Sequence, residues 1–145
     1  MYTYQYPRPA LTVDCAVFCL CHSDTYVLLI ERANEPFQNK WAFPGGFVDM
    51  DEDLDTAAYR ELKEETGFEA VSISQFKTYG AVNRDPRGRT VSVVYLAQME
   101  AETLPQVKGD DDALKAQWLD VNDLPGLAFD HDQIMKELKG YLNLL

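Results

Sequence analysis

The chain predicts a mixed α/β (α+β) fold, a mixed β-sheet with helices on its faces. Apolar runs of strand length recur along it, and two stretches carry helical periodicity instead. Two of the runs are close enough in sequence to form a hairpin, while strands and helices also interleave.

TVDCAVFCL and YVLLIER are the first two strands, joined through the polar turn CHSDT as a hairpin. NEPFQNK is a loop. WAFPGGFV is a short strand broken at Pro44-Gly45-Gly46. The helix that follows runs from an N-cap at Asp53, with Asp55 favourable in its first turn, to a stop at Gly67. Leu54, Ala58 and Leu62 form its apolar stripe. FEAVSISQFKTYGAV holds one or two strands, NRDPRGR a charged turn, and TVSVVYLAQME a strong strand. An acidic loop, GDDDALKAQ, leads to a strand centred on Trp118, and HDQIMKELKGYLNLL forms a closing helix. No repeat or long linker interrupts residues 1–145, which read as one domain.

Twenty-four acidic against 13 basic residues give a net charge of −11. That field disfavours nonspecific binding to nucleic acid or anionic membranes. It tolerates an anionic small molecule if cations or local arginines neutralise the site. MYTYQYPRPA has no signal-like apolar region, and no run approaches transmembrane length. Cys15, Cys19 and Cys21 are odd in number and clustered, so they read as free thiols in a reducing cytoplasm. Cys15 and Cys19 share the parity of Val13 and Val17, the buried side of a strand. Cys19, Cys21 and His22 lack the fourth ligand and the spacing of a zinc site.

The helix DLDTAAYRELKEETG carries the chemistry. Glu65 lies about 40° to one side of Glu61 and Glu64 about 60° to the other, an arc of roughly 100°. Like charges at that spacing repel. A solvated face is the ordinary reason for such a cluster, but the Gly-Gly loop before it and Arg60 within it point to ligation. Carboxylate clusters suit hard cations such as Mg2+ or Mn2+. A bound cation turns the repulsion into coordination, and Arg60 is placed to clamp one carboxylate.

GFVDMDEDLDTAAYRELKEETGF, Gly46 to Phe68, resembles a complete Nudix box: glycine, five residues, Glu52, seven residues, then Arg60 to Phe68. A chance match to its fixed letters is on the order of 10⁻⁹ per start position. The resemblance implies a Nudix fold, an α-β-α sandwich, and hydrolysis of a nucleoside diphosphate linked to another moiety. It implies Glu61 and Glu65 as the leading metal ligands, with Glu64 and the Gly46 carbonyl as further candidates. Glu52 would support the cluster electrostatically, and Arg60 would orient a glutamate.

The box leaves the substrate open. Arg84, Arg87 and Arg89 surround a proline-glycine turn directly before a strand, and one or two of them are candidates for substrate phosphate or ribose. RDPRGR, the tryptophan strand and LPGLAFDHDQI together resemble the ADP-ribose pyrophosphatases associated with NAD metabolism. That branch implies ADP-ribose, cleaved to AMP and ribose 5-phosphate; a nucleoside triphosphate or sugar nucleotide is the alternative. Its repressor relatives add a DNA-binding winged helix and often carry a degraded box. The intact box here favours an enzyme over a non-catalytic ADP-ribose sensor.

Phe37, Trp41 and Phe47 are candidates to pack against a base, with Phe37 foremost because its loop is polar. Lys40 is a candidate phosphate contact, and His131 either caps the last helix or faces the pocket. The family often places a general base before the late tryptophan strand, where Asp112 or Asp111 is the expected carboxylate. Homodimers are common among relatives, so a homodimer is expected here too.

Overall fold

The computed structural model describes residues 1–110 and 113–145. Seven strands form one mixed sheet: β1 (Ala10–Cys21), β2 (Asp24–Arg32), β3 (Trp41–Ala42), β4 (Gly45–Phe47), β5 (Ser74–Tyr79), β6 (Thr90–Glu100) and β7 (Ala113–Asp120). Two helices, α1 (Leu54–Thr66) and α2 (His131–Tyr141), cover its faces. β1 is central and pairs in parallel with β6 along nearly its full length.

On its other edge β1 splits its pairing. Phe18–Cys21 face β2 in an antiparallel hairpin, whereas Thr12–Asp14 face β4. β2 diverges from β1 beyond Val27 and pairs with β3 at Ile30 and Glu31, and its outer edge carries β7. The segment 41–47 therefore bridges the split, joined to β2 at one end and β1 at the other. The Cys15 N–H donates to the Pro44 carbonyl at the crossing, 2.7 Å away. The expected single broken strand is thus two short ones, and Gly45 and Gly46 lie inside the second rather than in the break.

Strand alternation assigns the core to two faces. Val13, Cys15, Val17 and Cys19 of β1 pack with Val93 and Tyr95 of β6 under Ala57, Ala58 and Leu62 of α1. Ala16 and Phe18, with Val94 and Leu96, pack under Ile134, Met135 and Leu138 of α2. Thr12 and Asp14 share this second parity near the start of the strand, where they line a cavity.

α1 is held at both ends. Tyr95 donates its hydroxyl to Asp55 in the first turn (2.5 Å), and the Cys15 thiol donates to the Ala58 carbonyl (3.3 Å). Asp53 occupies the N-cap position without a side-chain capping bond, so the first-turn anchor is Asp55. Gly67 closes the helix in the left-handed conformation, its N–H donating to Lys63 O at 2.8 Å. Among the described residues no helix is long and apolar enough to cross a membrane.

Candidate active site

The site begins with the meeting of β4 and α1. Gly46 abuts the Glu61 carboxylate so closely that a Cβ there would lie 2.5 Å from its oxygen. Only glycine allows that approach. The Gly45 N–H donates to Glu65 Oε1 at 2.7 Å, which fixes the second carboxylate against the same strand.

Arg60 organises the rest. Its Nε and Nη2 grip Glu52 in a bidentate pair at 2.8 and 2.6 Å. Nη1 donates to Glu61 (2.9 Å) and Glu64 (3.2 Å), and Nη2 also reaches the Phe47 carbonyl (3.2 Å). One guanidinium thus offsets the repulsion among three glutamates. Burial pushes the Glu61 carboxyl up, opposed by Arg60. Among the described residues no three His, Cys, Asp or Glu side chains converge as a ready cation cage. Arg60 Nη1 lies on two of the carboxylates that would form one.

Hydrogen bonds from Arg60, and next from the Asp49 N–H, draw the Glu52 carboxyl down to about 2. A depressed folded-state pKa contributes stability that is fully present above the unfolded value near 4.5. That contribution is lost as pH falls towards 2. Thermal unfolding followed by circular dichroism is expected to show a falling midpoint through this window, with a shallower fall in Arg60→Gln. An identical slope in the variant would remove Arg60 as the cause.

Beside these groups a cavity of about 280 Å³ opens between the split strands. Thr12, Asp14, Gly45, Gly46, Phe47 and Glu65 line it, together with Arg32, Arg84, Arg87 and Phe129. Arg84 is 4% exposed and forms a bidentate pair with Asp130 at 2.9 and 2.8 Å. Arg87 pairs with the buried Asp85 and projects further out, 39% exposed. Asp14 accepts a short hydrogen bond from Ser92 and faces His131 Nε2 at 3.8 Å. His131 Nδ1 accepts the Phe43 N–H at 3.2 Å, which leaves the ring proton on Nε2. Burial lowers the pKa of His131, so the ring is neutral at neutral pH.

A family model described as the NUDIX domain matches residues 11–138. The chain belongs to the Nudix family. Its class is that of a Nudix pyrophosphohydrolase. It is 40% identical over 138 residues to an ADP-ribose pyrophosphatase of Methanocaldococcus jannaschii, covering 95% of this chain and 78% of that protein. It is 35% identical to the ADPR-responsive transcriptional repressor NtrR of Acinetobacter baylyi, across 95% of this chain and only 56% of the repressor. Among solved structures it superposes on the Nudix domain of Shewanella oneidensis NrtR complexed with ADP-ribose. That match has a TM-score of 0.86 and 34% identity, covering 94% of this chain and 90% of the other. A bifunctional NMN adenylyltransferase/ADP-ribose pyrophosphatase of Francisella tularensis, complexed with AMP and a manganese ion, matches at TM-score 0.81 and 28% identity. The alignment covers 95% of this chain and 43% of that one. Nudix enzymes generally use divalent metals.

Of the residues expected at the Nudix site, Gly46, Glu52, Arg60, Glu61, Glu64 and Glu65 form one cluster, and Arg84, Arg87 and His131 line the adjoining cavity or its floor. Three of the expected residues lie apart from the cavity. Arg89 turns away from the cavity, its Nη1 donating to the Gly80 and Ala81 carbonyls at 2.6 and 3.3 Å. Lys40 is exposed and lies outside the cavity wall. Phe37 stands behind the wall, 4.8 Å from the Phe129 ring and packed on the Ile30, Ala42, Ala128 cluster. Its loop is polar, but the ring is covered by the chain before α2. Asp111 and Asp112 lie outside the described residues. Asp14, Arg32, Asp85, Phe129 and Asp130 were not anticipated.

Proposed function

We propose that this Nudix enzyme hydrolyses the diphosphate bridge of ADP-ribose, yielding AMP and ribose 5-phosphate. The observation that carries the reading is the Glu61, Glu64, Glu65 cluster opening beside a cavity lined by arginines and aromatic rings. The M. jannaschii pyrophosphatase and the ADP-ribose complex of the NrtR domain support the choice of nucleotide.

The donor set fits Mg2+ or Mn2+: carboxylate oxygens of Glu61, Glu64 and Glu65 with the Gly46 carbonyl, all hard ligands. When bound, such ions polarise a phosphoryl oxygen and lower the pKa of the attacking water. The chain's own residues do the positioning. Arg60 keeps Glu52 fixed through its bidentate edge, while its Nη1 contacts to Glu61 and Glu64 are the ones a bound ion would replace. Arg87, the more exposed of the cavity arginines tied to aspartates, presents charge to a phosphate, and Arg84 is held rigid by Asp130. Asp112, or its neighbour Asp111, supplies the base that takes the proton of the attacking water.

Similarity to ADPR-responsive repressors favours one other reading, a domain that binds ADP-ribose without turnover. Hydrolysis of a nucleotide panel with magnesium separates the two. The highest kcat/KM is expected for ADP-ribose, with AMP and ribose 5-phosphate as products. A higher value for a nucleoside triphosphate or sugar nucleotide overturns the substrate. Tight ADP-ribose binding with no turnover in any divalent metal overturns the reaction.

A further inference from the structure

We infer that His131 is a positioning residue: through the Phe43 N–H it braces the segment that presents Gly45 and Gly46 to the α1 carboxylates. Its effect on turnover rests on the reaction proposed above; the brace itself does not. β3 ends at Ala42 on β2, and β4 begins at Gly45 on β1, so Phe43 and Pro44 cross between two strand partners. Both are buried. Proline has no N–H, so Phe43 carries the main-chain donor of this crossing. A buried N–H requires an acceptor. Here it is a side chain 88 residues further along, His131 Nδ1 at 3.2 Å.

The same imidazole is tied to the other end of the crossing. Nδ1 accepts only while the ring proton sits on Nε2. Asp14 Oδ2, 3.8 Å from Nε2, favours that tautomer, and Ser92 fixes the oxygen by donating its hydroxyl to it. The second oxygen, Oδ1, lies against Gly45, where a Cβ would come within 2.5 Å of it. Gly45 in turn donates its N–H to Glu65 Oε1 at 2.7 Å.

The N–H groups of Phe43 and Gly45 are thus held by side chains of different helices, His131 of α2 and Glu65 of α1. Only Pro44 lies between them, and its ring fixes φ, so a displacement at one end passes to the other. An apolar residue could fill the space beside the Phe43 and Phe129 rings, 5.0 and 5.5 Å from the imidazole. It would bring no acceptor, and the freed segment would let Gly45 leave Glu65 and carry the Gly46 carbonyl with it.

Amide hydrogen exchange followed by NMR in the metal-free protein reads the brace without turnover. His131→Leu fills the space and removes the acceptor, whereas His131→Asn returns an amide oxygen to the place of Nδ1. Rates are taken relative to Val94 of β6, which reports global opening. In His131→Leu both the Phe43 and the Gly45 N–H are expected to exchange about tenfold faster than in the wild type. In His131→Asn both should return to within about threefold of it. Glu65→Ala removes the acceptor at the far end, and because coupling is reciprocal it should quicken Phe43 as well as Gly45. That variant decides the matter if His131→Leu does not fold. With magnesium and ADP-ribose, His131→Leu is expected to lower kcat about tenfold with KM within about twofold, and His131→Asn to restore it. Wild-type exchange at Gly45 in His131→Leu, wild-type exchange at Phe43 in Glu65→Ala, or no recovery in His131→Asn overturns the brace. A wild-type kcat in His131→Leu overturns its part in turnover. The exchange pattern intact alongside no cleavage of ADP-ribose by the wild type would instead reject the proposed reaction.

Discussion

Replacing Glu65 with glutamine is expected to lower kcat by about 10³-fold while leaving the fold intact. Glu65 is 7% exposed, and its Oε1 accepts the Gly45 N–H. Glutamine keeps a carbonyl oxygen for that bond, so the strand-to-helix contact survives. What disappears is one negative charge among three carboxylates within a single helical turn. A divalent cation held as proposed would lose a charged hard ligand, and its hold on a phosphoryl oxygen would weaken accordingly. Steady-state kinetics with saturating magnesium, beside a thermal melt, measures both effects. A kcat within about twofold of the wild type would remove Glu65 from the chemistry.

Gly45→Ala is expected to act through the backbone and to lose about 3 kcal/mol of stability. A Cβ at this position would stand 2.2 Å from the Val13 carbonyl oxygen and 2.9 Å from the Asp14 Cα. Both are main-chain atoms of the central strand, so no side chain can rotate to make room. β4 must withdraw from β1, and its pairs with Thr12, Val13 and Asp14 open. Glu65 then loses the Gly45 N–H, so activity falls with stability. Denaturant unfolding gives the first effect and kcat the second. A midpoint equal to the wild type would show that the strand has slack the packing denies.

The helix and its carboxylates were readable in the sequence because everything that defines them is local. The spacing of Arg60, Glu61, Glu64 and Glu65 is a helix period, and Ala58 and Leu62 fix which face is buried. The parity of Val13, Cys15, Val17 and Cys19 was equally local, and all four pack under α1. The rest of the cavity lining is assembled from distant segments, and the meetings between them were silent. Asp14 meets Ser92 only because β1 and β6 pair in parallel, and His131 because α2 returns over that face. One signal was available: Thr12 and Asp14 are polar at alternate positions of an otherwise apolar strand. Nothing in the residue type of Phe129 announces its left-handed backbone. Arg84, Arg87 and Arg89 look equivalent in RDPRGR, yet the turn sends the first two into the cavity and the third onto carbonyl oxygens. Composition cannot report that divergence.

Manganese uptake, followed by the loss of the free-ion electron paramagnetic resonance signal, bears most directly on the reading of the α1 cluster. The wild type is expected to bind Mn2+, and Glu65→Gln to bind it at least about tenfold more weakly. A wild type that leaves the manganese signal undiminished, with and without nucleotide, would contradict the assignment of these glutamates to ion-assisted cleavage of a diphosphate.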